Sequence, residues 1–269
     1  MTMIALDIGH GINTFPPSKG VYRNGKAYHE HEFNSDVAMR LKTLLEQHGF
    51  SVWMPQPPNS REVGLTTRTN AANRRRVDLY WSIHANAGSN DVDGCCSFYW
   101  HTSSSGKRLA NIFADEMDKA GFELHGNGTH ASEPGKWTEL HVCRETHMTA
   151  VLTENGFMTH DEDFENLFGK NKESYRQRVA ETHCKILCRY FGVPYKGVKS
   201  STKEEYFKMK MTKTEHRPVI TMLEKWTDEE KYKNPLDKDW LDQARDYDLT
   251  YGDAIRIMYE SDVRGFRNQ

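Results

Sequence analysis

An early alternation of strand and helix patterns constrains the fold more than any other feature of the sequence. Residues 3–8 are a short apolar run broken by glycines, which is typical of a buried strand ending in a tight loop. Over residues 33–48 apolar side chains recur at helical spacing, and Gly49 follows as a stop signal. Residues 50–54 then predict a second strand. Because strands joined through a helix usually pair in parallel, this order predicts an α/β fold.

The same alternation continues to about residue 194 and predicts one domain over residues 1–194. We expect a twisted, mostly parallel sheet flanked by helices. Two segments rich in glycine and polar residues, 12–29 and 121–147, are predicted to be long loops. Further strands are predicted over 79–84, 95–100 and 149–153, and further helices over 67–75, 107–120 and 161–191 with a break at 169–171.

The remaining third of the chain has a different character. Residues 195–203 are small, polar and basic, which predicts a linker. Residues 204–269 are rich in charge with scattered apolar anchors and predict a small helical C-terminal module. Its aromatic residues, Trp226 and Trp240 among them, either form a minimal core or line a sugar site, and we favour the core.

Composition excludes several classes of function. The formal net charge of −2 gives no reason to expect a nucleic acid or an acidic membrane surface as partner. No apolar run is long enough to predict membrane insertion. The N-terminus resembles a first strand, not a signal peptide, so we expect synthesis in the cytoplasm without the usual export. The five cysteines are odd in number and lack zinc-finger spacing. They predict reduced core residues, with a metal or redox role as the alternative.

Three predicted strands lead into residues that bind metals or transfer protons. His10 follows the first strand, His84 closes the strand 79–84 and Glu154 follows the strand 149–153. Because ligand sites gather at the carboxyl ends of parallel strands, we expect these side chains to approach one another. Glu30, at the start of the first helix, can meet His10 there.

Two histidines and one glutamate form a common ligand set for catalytic zinc, and a further carboxylate would serve as general base. Nearby polar residues could orient the ligands through hydrogen bonds. From spacing alone, the alternative to a metal site stays open: the histidines are unrelated surface or core residues, and the glutamate forms an ordinary salt bridge. The candidate orienting residues are Asp7, Asn34 and Asn86.

Taken together, the motifs resemble a known family over residues 3–192. In order, the chain contains DIGHG, EHEFNSDVAMRLKTLLEQHGF, TTRTNAANRR, YWSIHANAG and AVLTENGFMTHDED. This order is similar to that of the zinc-dependent N-acetylmuramoyl-L-alanine amidases of the type-3 group, which occur in bacterial autolysins and phage endolysins. The resemblance implies one Zn²⁺ ion and cleavage between N-acetylmuramic acid and the L-alanine of the stem peptide.

The resemblance also assigns roles to residues. It implies His10, Glu30 and His84 as zinc ligands and Glu154 as the catalytic residue. Glu30 is implied over Glu32 because the family's ligand glutamate opens a helix four residues before an asparagine. Arg68 matches a family arginine, and we expect it to be structural. Segment 121–147 is expected to be a substrate-binding loop, and His130, His141 and Asn86 are candidates for contacts to the substrate or the oxyanion. Trp137 either stacks on a sugar or serves packing.

Two positions depart from the family pattern without removing a ligand. Ile8 stands where proline is usual, and His160 stands where asparagine is common.

We therefore expect a peptidoglycan hydrolase, and the missing signal peptide favours a phage endolysin that stays in the host cytoplasm until lysis. Another zinc peptidase of cell-wall peptides and a catalytically inactive wall-binding protein remain alternatives. A wall polymer is the expected ligand of the C-terminal module, with oligomerisation as the alternative, and the oligomeric state is open.

Overall fold

The computed structural model describes residues 1–197, which form a compact unit. The strands are β1 (Met3–Ile8), β2 (Gly20–Arg23), β3 (Lys26–His29), β4 (Ser51–Trp53), β5 (Leu79–Asn86), β6 (Cys95–Trp100), β7 (Leu124–Ser132) and β8 (Thr149–Phe157). The helices are α1 (Glu30–Gln47), α2 (Leu65–Arg75), α3 (Ser104–Lys119), α4 (His141–Glu145), α5 (Asp161–Leu167) and α6 (Lys172–Phe191).

Six of the strands form one sheet in the order β4-β1-β5-β8-β6-β7. All neighbouring pairs are parallel except β6 and β8, which are antiparallel. The prediction of a mostly parallel sheet flanked by helices is therefore confirmed for the described residues. The central strand β1 is buried along almost its whole length, which explains why its sequence is a continuous apolar run without alternation.

Helices cover both faces of this sheet. On one face, Trp81 of β5 packs against Phe113 of α3 and His183 of α6, and α1 lies beside α6. On the other face, α2 and α4 cover an apolar cluster that includes Tyr80 and Leu152. Because side chains alternate along a strand, Ser82 and His84, two and four positions beyond Tyr80, point to this second face. The candidate site is built there.

Helix α1 joins β1 to β4 as the sequence pattern predicts, and its first turn extends the apolar pattern of residues 33–48 back to Glu30, where the start of the helix was expected. Its first residue is Glu30, and it ends at Gln47, two residues before Gly49 at φ +84°. The buried side of the helix carries Phe33, Val37, Ala38, Leu41, Leu44 and Leu45. These positions recur every three or four residues, so one apolar stripe faces the sheet.

The predicted loops at 12–29 and 121–147 are wrong in part. Residues 20–29 form the hairpin β2–β3, whose turn at Asn24 and Gly25 has positive φ at both positions, as a type I′ turn requires. The second segment contains the edge strand β7 and the short helix α4. In addition, β5 and β8 do not end at the candidate site but continue past it, to Asn86 and Phe157.

The C-terminal predictions lie beyond the region that the structure describes. The predicted linker, 195–203, is described only to residue 197, and the predicted helical module, 204–269, lies entirely outside the described residues. Within residues 1–197, no helix is both long and apolar enough to span a bilayer. The five cysteines are all buried and free, as expected for reduced core residues.

Candidate active site

Glu30 is the residue around which the site is built. The hairpin β2–β3 leads directly into α1, so that Glu30 opens the helix with its backbone N–H bonded to Lys19 O at 3.1 Å. Its buried carboxylate accepts hydrogen bonds from Asn34 Nδ2 at 3.1 Å and from the Ala85 N–H at 3.2 Å. A carboxylate at a helix N-terminus is further stabilised by the helix dipole.

Two imidazoles face this carboxylate from the ends of neighbouring strands. His10, in the turn after β1, places Nε2 at 3.2 Å from Glu30 Oε2. His84, near the end of β5, places Nδ1 at 3.0 Å from Glu30 Oε1. Gly9 makes this approach possible, because a Cβ at that position would lie 2.5 Å from the His84 ring. The strand ends and the helix start thus converge as the sequence predicts.

The electrostatics of the trio suit a cation. Burial alone would raise the pKa of Glu30, but the facing His10 and His84 hold it well below the usual carboxyl range. Burial lowers the pKa of His84, against the opposing effect of the Glu30 carboxylate. An ionised carboxylate beside a neutral imidazole is the protonation state in which these side chains bind metals.

The spacing of the three donors also fits a metal ion. Their ligand atoms all lie within 4.8 Å of one another. In a tetrahedral zinc site with ligand distances of about 2.0–2.1 Å, donor atoms are about 3.3 Å apart. The two separations from the Glu30 carboxylate, 3.0 and 3.2 Å, are close to that value. The residues present therefore fit a divalent cation of the zinc type.

Glu154 lies beside this trio on β8. It pairs with His84 in the parallel register of β5 and β8, so the two side chains point to the same face of the sheet. Its Oε2 atom is buried and has no hydrogen-bond partner within residues 1–197. Burial, and next the negative charge of Glu30, raise the pKa of Glu154 well above its usual value, while Lys19 has a smaller opposite effect.

A cavity of about 350 Å³ connects these groups to solvent. His10, Glu30, His84 and Glu154 all line it, so the structure brings together the four residues on which the predicted mechanism depends. The remaining wall is mixed in character, with the cation of Lys19 on one side. The larger apolar side chains in the wall are Leu65, Leu140, Val142, Leu152 and Met158.

The residues predicted to contact substrate differ in whether they line this cavity. Asn86 and His141 line the cavity, and His141 Nε2 lies 3.2 Å from Thr69 Oγ1. His130 is not among the residues that line the cavity in the described part of the chain. It stacks against Phe98, and the exposed Trp137 contacts both rings from outside.

The residues predicted to orient the ligands differ in whether they contact the site directly. Asn34 contacts the site directly, because it donates to Glu30 and to Gly9 O. Asp7 instead binds Arg68 Nη1 at 2.7 Å and accepts a hydrogen bond from Ser82 Oγ. Arg68 and Asp7 are both buried, so their ion pair supports the strand end from which His10 projects.

Sequence reasoning missed two charged residues of the site. Glu62 Oε1 lies 3.5 Å from His10 Nδ1, and Lys19 lines the cavity near Glu154. Both lie in irregular segments, where no apolar periodicity points to the direction of a side chain. Their place in the site becomes apparent from the contacts that Glu62 and Lys19 make in the folded protein.

The combination of a largely parallel sheet, a His–Glu–His donor set and a second buried carboxylate is typical of metal-dependent hydrolases. The family described as N-acetylmuramoyl-L-alanine amidase (Amidase_3) matches residues 4–189, and the chain belongs to this family. Membership carries with it amidase activity on peptidoglycan, as the motifs predict.

Individual relatives agree with this result. The chain is similar to the N-acetylmuramoyl-L-alanine amidase CwlM of Bacillus licheniformis, at 31% identity over 72% of this chain and 70% of that protein. It is also similar to an endolysin of Bacillus phage SPP1, at 27% identity over 76% of this chain and 71% of the phage protein. Among solved structures, the catalytic domain of the amidase CwlV from Bacillus (Paenibacillus) polymyxa superposes with a TM-score of 0.61. That match has 26% identity and covers 72% of this chain and the whole of that domain.

Proposed function

We propose that this amidase is zinc-dependent, with His10, Glu30 and His84 as the metal ligands and Glu154 as the general base. The observation that carries the proposal is the spacing of the donors: two imidazole nitrogens face one buried carboxylate at 3.0 and 3.2 Å. Glu154 lines the same cavity and lacks a hydrogen-bond partner for Oε2 within the described residues. When bound, zinc supplies Lewis acidity that polarises an amide carbonyl and lowers the pKa of water.

The protein residues then account for the proton transfers of hydrolysis. Water adds to the amide carbon, and Glu154 accepts its proton. The same carboxyl group delivers that proton to the departing nitrogen as the C–N bond breaks, which leaves a lactyl carboxylic acid and the free amine of L-alanine. The new acid then releases its remaining proton to the amine or to water, which gives the lactyl carboxylate. Asn86 and His141 line the cavity where they can donate hydrogen bonds to the substrate carbonyl.

The proposal separates metal binding from proton transfer, and variants can test each part. Glu154→Gln preserves the shape of the side chain but cannot accept a proton, so we expect full zinc content and a loss of about 10²–10⁴-fold in the rate of hydrolysis. Zinc is measured by elemental analysis, and new N-terminal alanine is measured on purified walls. Near-normal hydrolysis by this variant would exclude Glu154 as the base.

Glu30 and Glu32 provide a matched pair for the ligand assignment. We expect Glu30→Ala to lose zinc and activity, because it removes the carboxylate between the two imidazoles. Glu32 lies on the same helix but is paired with Arg176 and Lys172, so Glu32→Ala should retain both. Activity that survives exhaustive chelation in the unaltered protein would remove zinc from the mechanism.

We further propose that the protein acts as a phage endolysin, held in the host cytoplasm and acting on the wall after release. The similarity to the SPP1 endolysin over 76% of this chain supports this role. A bacterial cell-wall amidase is the second candidate, because CwlM of Bacillus licheniformis is similar over a comparable share. Expression in a susceptible host distinguishes them: lysis only when a pore-forming partner is co-expressed supports the endolysin.

The products decide between the amidase and a zinc peptidase of cell-wall peptides. Hydrolysis at the lactyl amide releases new N-terminal L-alanine without new reducing sugar ends, whereas a peptidase releases other amino termini. Absence of any new ends from walls that the protein still binds would support an inactive wall-binding protein.

For residues 204–269 we propose binding to a wall polymer, with oligomerisation as the alternative. Trp226 and Trp240 are expected in the core of this module, so substitution of both by alanine in the full chain should disrupt the module and reduce sedimentation with purified walls. Hydrolysis of small soluble muropeptides should stay unchanged. Unchanged sedimentation, with a lower molecular mass in solution, would instead support oligomerisation.

A further inference from the structure

His10 presents a different charged group to each of its ring nitrogens. Nε2 lies 3.2 Å from Glu30 Oε2, on the side of the proposed metal ligands, and Nδ1 lies 3.5 Å from Glu62 Oε1. An imidazole that binds a metal through Nε2 must carry its proton on Nδ1. In the metal-bound state Nδ1 is therefore a hydrogen-bond donor, and a carboxylate beside it can accept that hydrogen bond.

The chain holds Glu62 in this place through close backbone packing. A Cβ on Gly11 would lie 2.1 Å from the backbone nitrogen of Glu62, so only glycine allows the two segments to approach this closely. The Glu62 N–H donates to Asn13 Oδ1 at 2.7 Å, and the Ile12 N–H donates to Ser60 O at 2.9 Å. The backbone around Glu62 is thus fixed against the turn that carries His10.

Gln56 links the same two segments from the inside. Its buried amide nitrogen donates to His10 O at 2.6 Å, and its amide oxygen accepts from the Val63 N–H at 2.9 Å. His10 itself has φ +60°, a conformation that is unfavourable for a residue with a side chain. The contacts from Gln56 and from the neighbours of Glu62 hold this turn in its strained form.

Arg68 orients Glu62 from the opposite side. Its Nη2 atom lies 3.5 Å from Glu62 Oε1, while Nη1 binds Asp7 at 2.7 Å. Arg68 is almost fully buried, whereas the Glu62 side chain is 29% exposed. The buried guanidinium group thus attracts the more exposed Glu62 carboxylate to the oxygen position that also faces the His10 ring.

We propose that Glu62 is a positioning residue for zinc binding, which accepts a hydrogen bond from His10 Nδ1 and thereby keeps Nε2 unprotonated and aimed at the metal. Outer carboxylates that contact ligand histidines fix the tautomer and ring orientation and raise the basicity of the ligand. The present separation of 3.5 Å is longer than a hydrogen bond, so the proposal requires this contact to shorten when the metal binds. This inference rests on the proposed zinc site.

The test is zinc affinity, measured by competition with a chromophoric chelator on the full chain. We expect Glu62→Ala to weaken zinc binding about 10–100-fold. Glu62→Gln keeps an oxygen that accepts the hydrogen bond, so it should recover most of that loss. Glu162→Ala is the matched control, because Glu162 is exposed on α5 and does not line the cavity that holds the ligands. The Co²⁺-loaded Glu62→Ala protein should also show a shifted visible spectrum relative to the unaltered protein.

The outcomes separate this inference from the proposed function. If the unaltered protein binds no zinc, the proposed function fails. If it binds zinc and Glu62→Ala binds equally tightly, Glu62 has no positioning role and this inference alone is overturned. Glu62→Gln as weak as Glu62→Ala would also overturn it, since the accepting oxygen is then without effect. Melting temperatures of the metal-free proteins show whether a loss of affinity reflects unfolding.

Discussion

A buried histidine outside the active site should make the stability of this protein depend steeply on pH. His183 lies on α6 with no exposed surface, and its Nδ1 accepts a hydrogen bond from Trp81 Nε1 at 3.2 Å. Its Nε2 is buried without a partner in the described part of the chain. Burial lowers the pKa of His183 from the ordinary 6.5 to about 3. The folded protein therefore keeps this ring neutral where the unfolded chain protonates it.

The size of the effect follows from the two pKa values. Because the folded pKa is the lower one, the unfolded state gains a proton first, and stability falls as the pH drops below 6.5. Each pH unit in the window between the two values costs about 1.4 kcal/mol. From pH 7 to pH 5 the loss is about 2 kcal/mol, and it stops growing below the folded pKa of about 3.

The assay compares the unaltered protein with His183→Gln, whose amide oxygen can still accept from Trp81 but which does not titrate. Urea denaturation of the metal-free proteins at pH 7 and pH 5 gives four free energies of unfolding. We expect the unaltered protein to lose about 2 kcal/mol more between these pH values than the variant does. Equal losses in the two proteins would refute the reasoning, because all other titrating groups are shared.

Three further substitutions test contacts that support the site and the fold. Arg68→Met leaves the Asp7 carboxylate buried without its partner and should cost about 3–5 kcal/mol in urea denaturation. Asn34→Ala removes the amide that donates to Glu30 and should weaken zinc binding about 10-fold in the chelator competition, with hydrolysis at saturating zinc little changed. Arg176→Met should cost about 2–3 kcal/mol of unfolding free energy, because it leaves Leu167 O unpaired and removes the bond to Asp36. A loss below about 1 kcal/mol for either arginine would contradict these assignments.

The parts of the fold that could be predicted are those where burial imposes a pattern. The continuous apolar run of β1 and the helical stripe of α1 identify both elements and their order, since each buries a defined face. The mixed direction of the sheet could not be predicted. Nothing in the composition of β6 shows that it runs antiparallel to β8, because both kinds of pairing accept the same buried side chains.

The missed strands have weaker local signals. The Asn24–Gly25 turn is a recognised hairpin signal, but the flanking residues of β2 and β3 are half-buried and lack a clear alternation. Strand β7 contains Gly126 and Gly128, both at positive φ, and within residues 1–197 it pairs with β6 alone. Glycines weaken a strand pattern, so the tertiary pairing and not the local sequence makes this segment extended.

The candidate site could be anticipated to the extent that it lies on regular elements. His10 follows the buried strand β1, His84 and Glu154 lie near the carboxyl ends of β5 and within β8, and Glu30 opens the helix that packs beside them. The support of His10 by Glu62 could not be anticipated, because it depends on a glycine contact at Gly11 between two irregular segments. His130 lies in a segment expected to bind substrate, and in the structure it stacks against Phe98 away from the cavity lining, so its predicted substrate contact stays a prediction.

The reversed direction of β6 determines where this enzyme can accept an attachment. Cys96 pairs with Glu154, so the strand begins beside the proposed general base and leads away from it. The strand ends four residues later at Trp100, about 13 Å away at a rise of about 3.3 Å per residue, and the exposed His101 and Thr102 lie in the turn that follows. A fluorophore, an affinity tag or a surface-immobilising peptide inserted between them would leave the entrance of the cavity open.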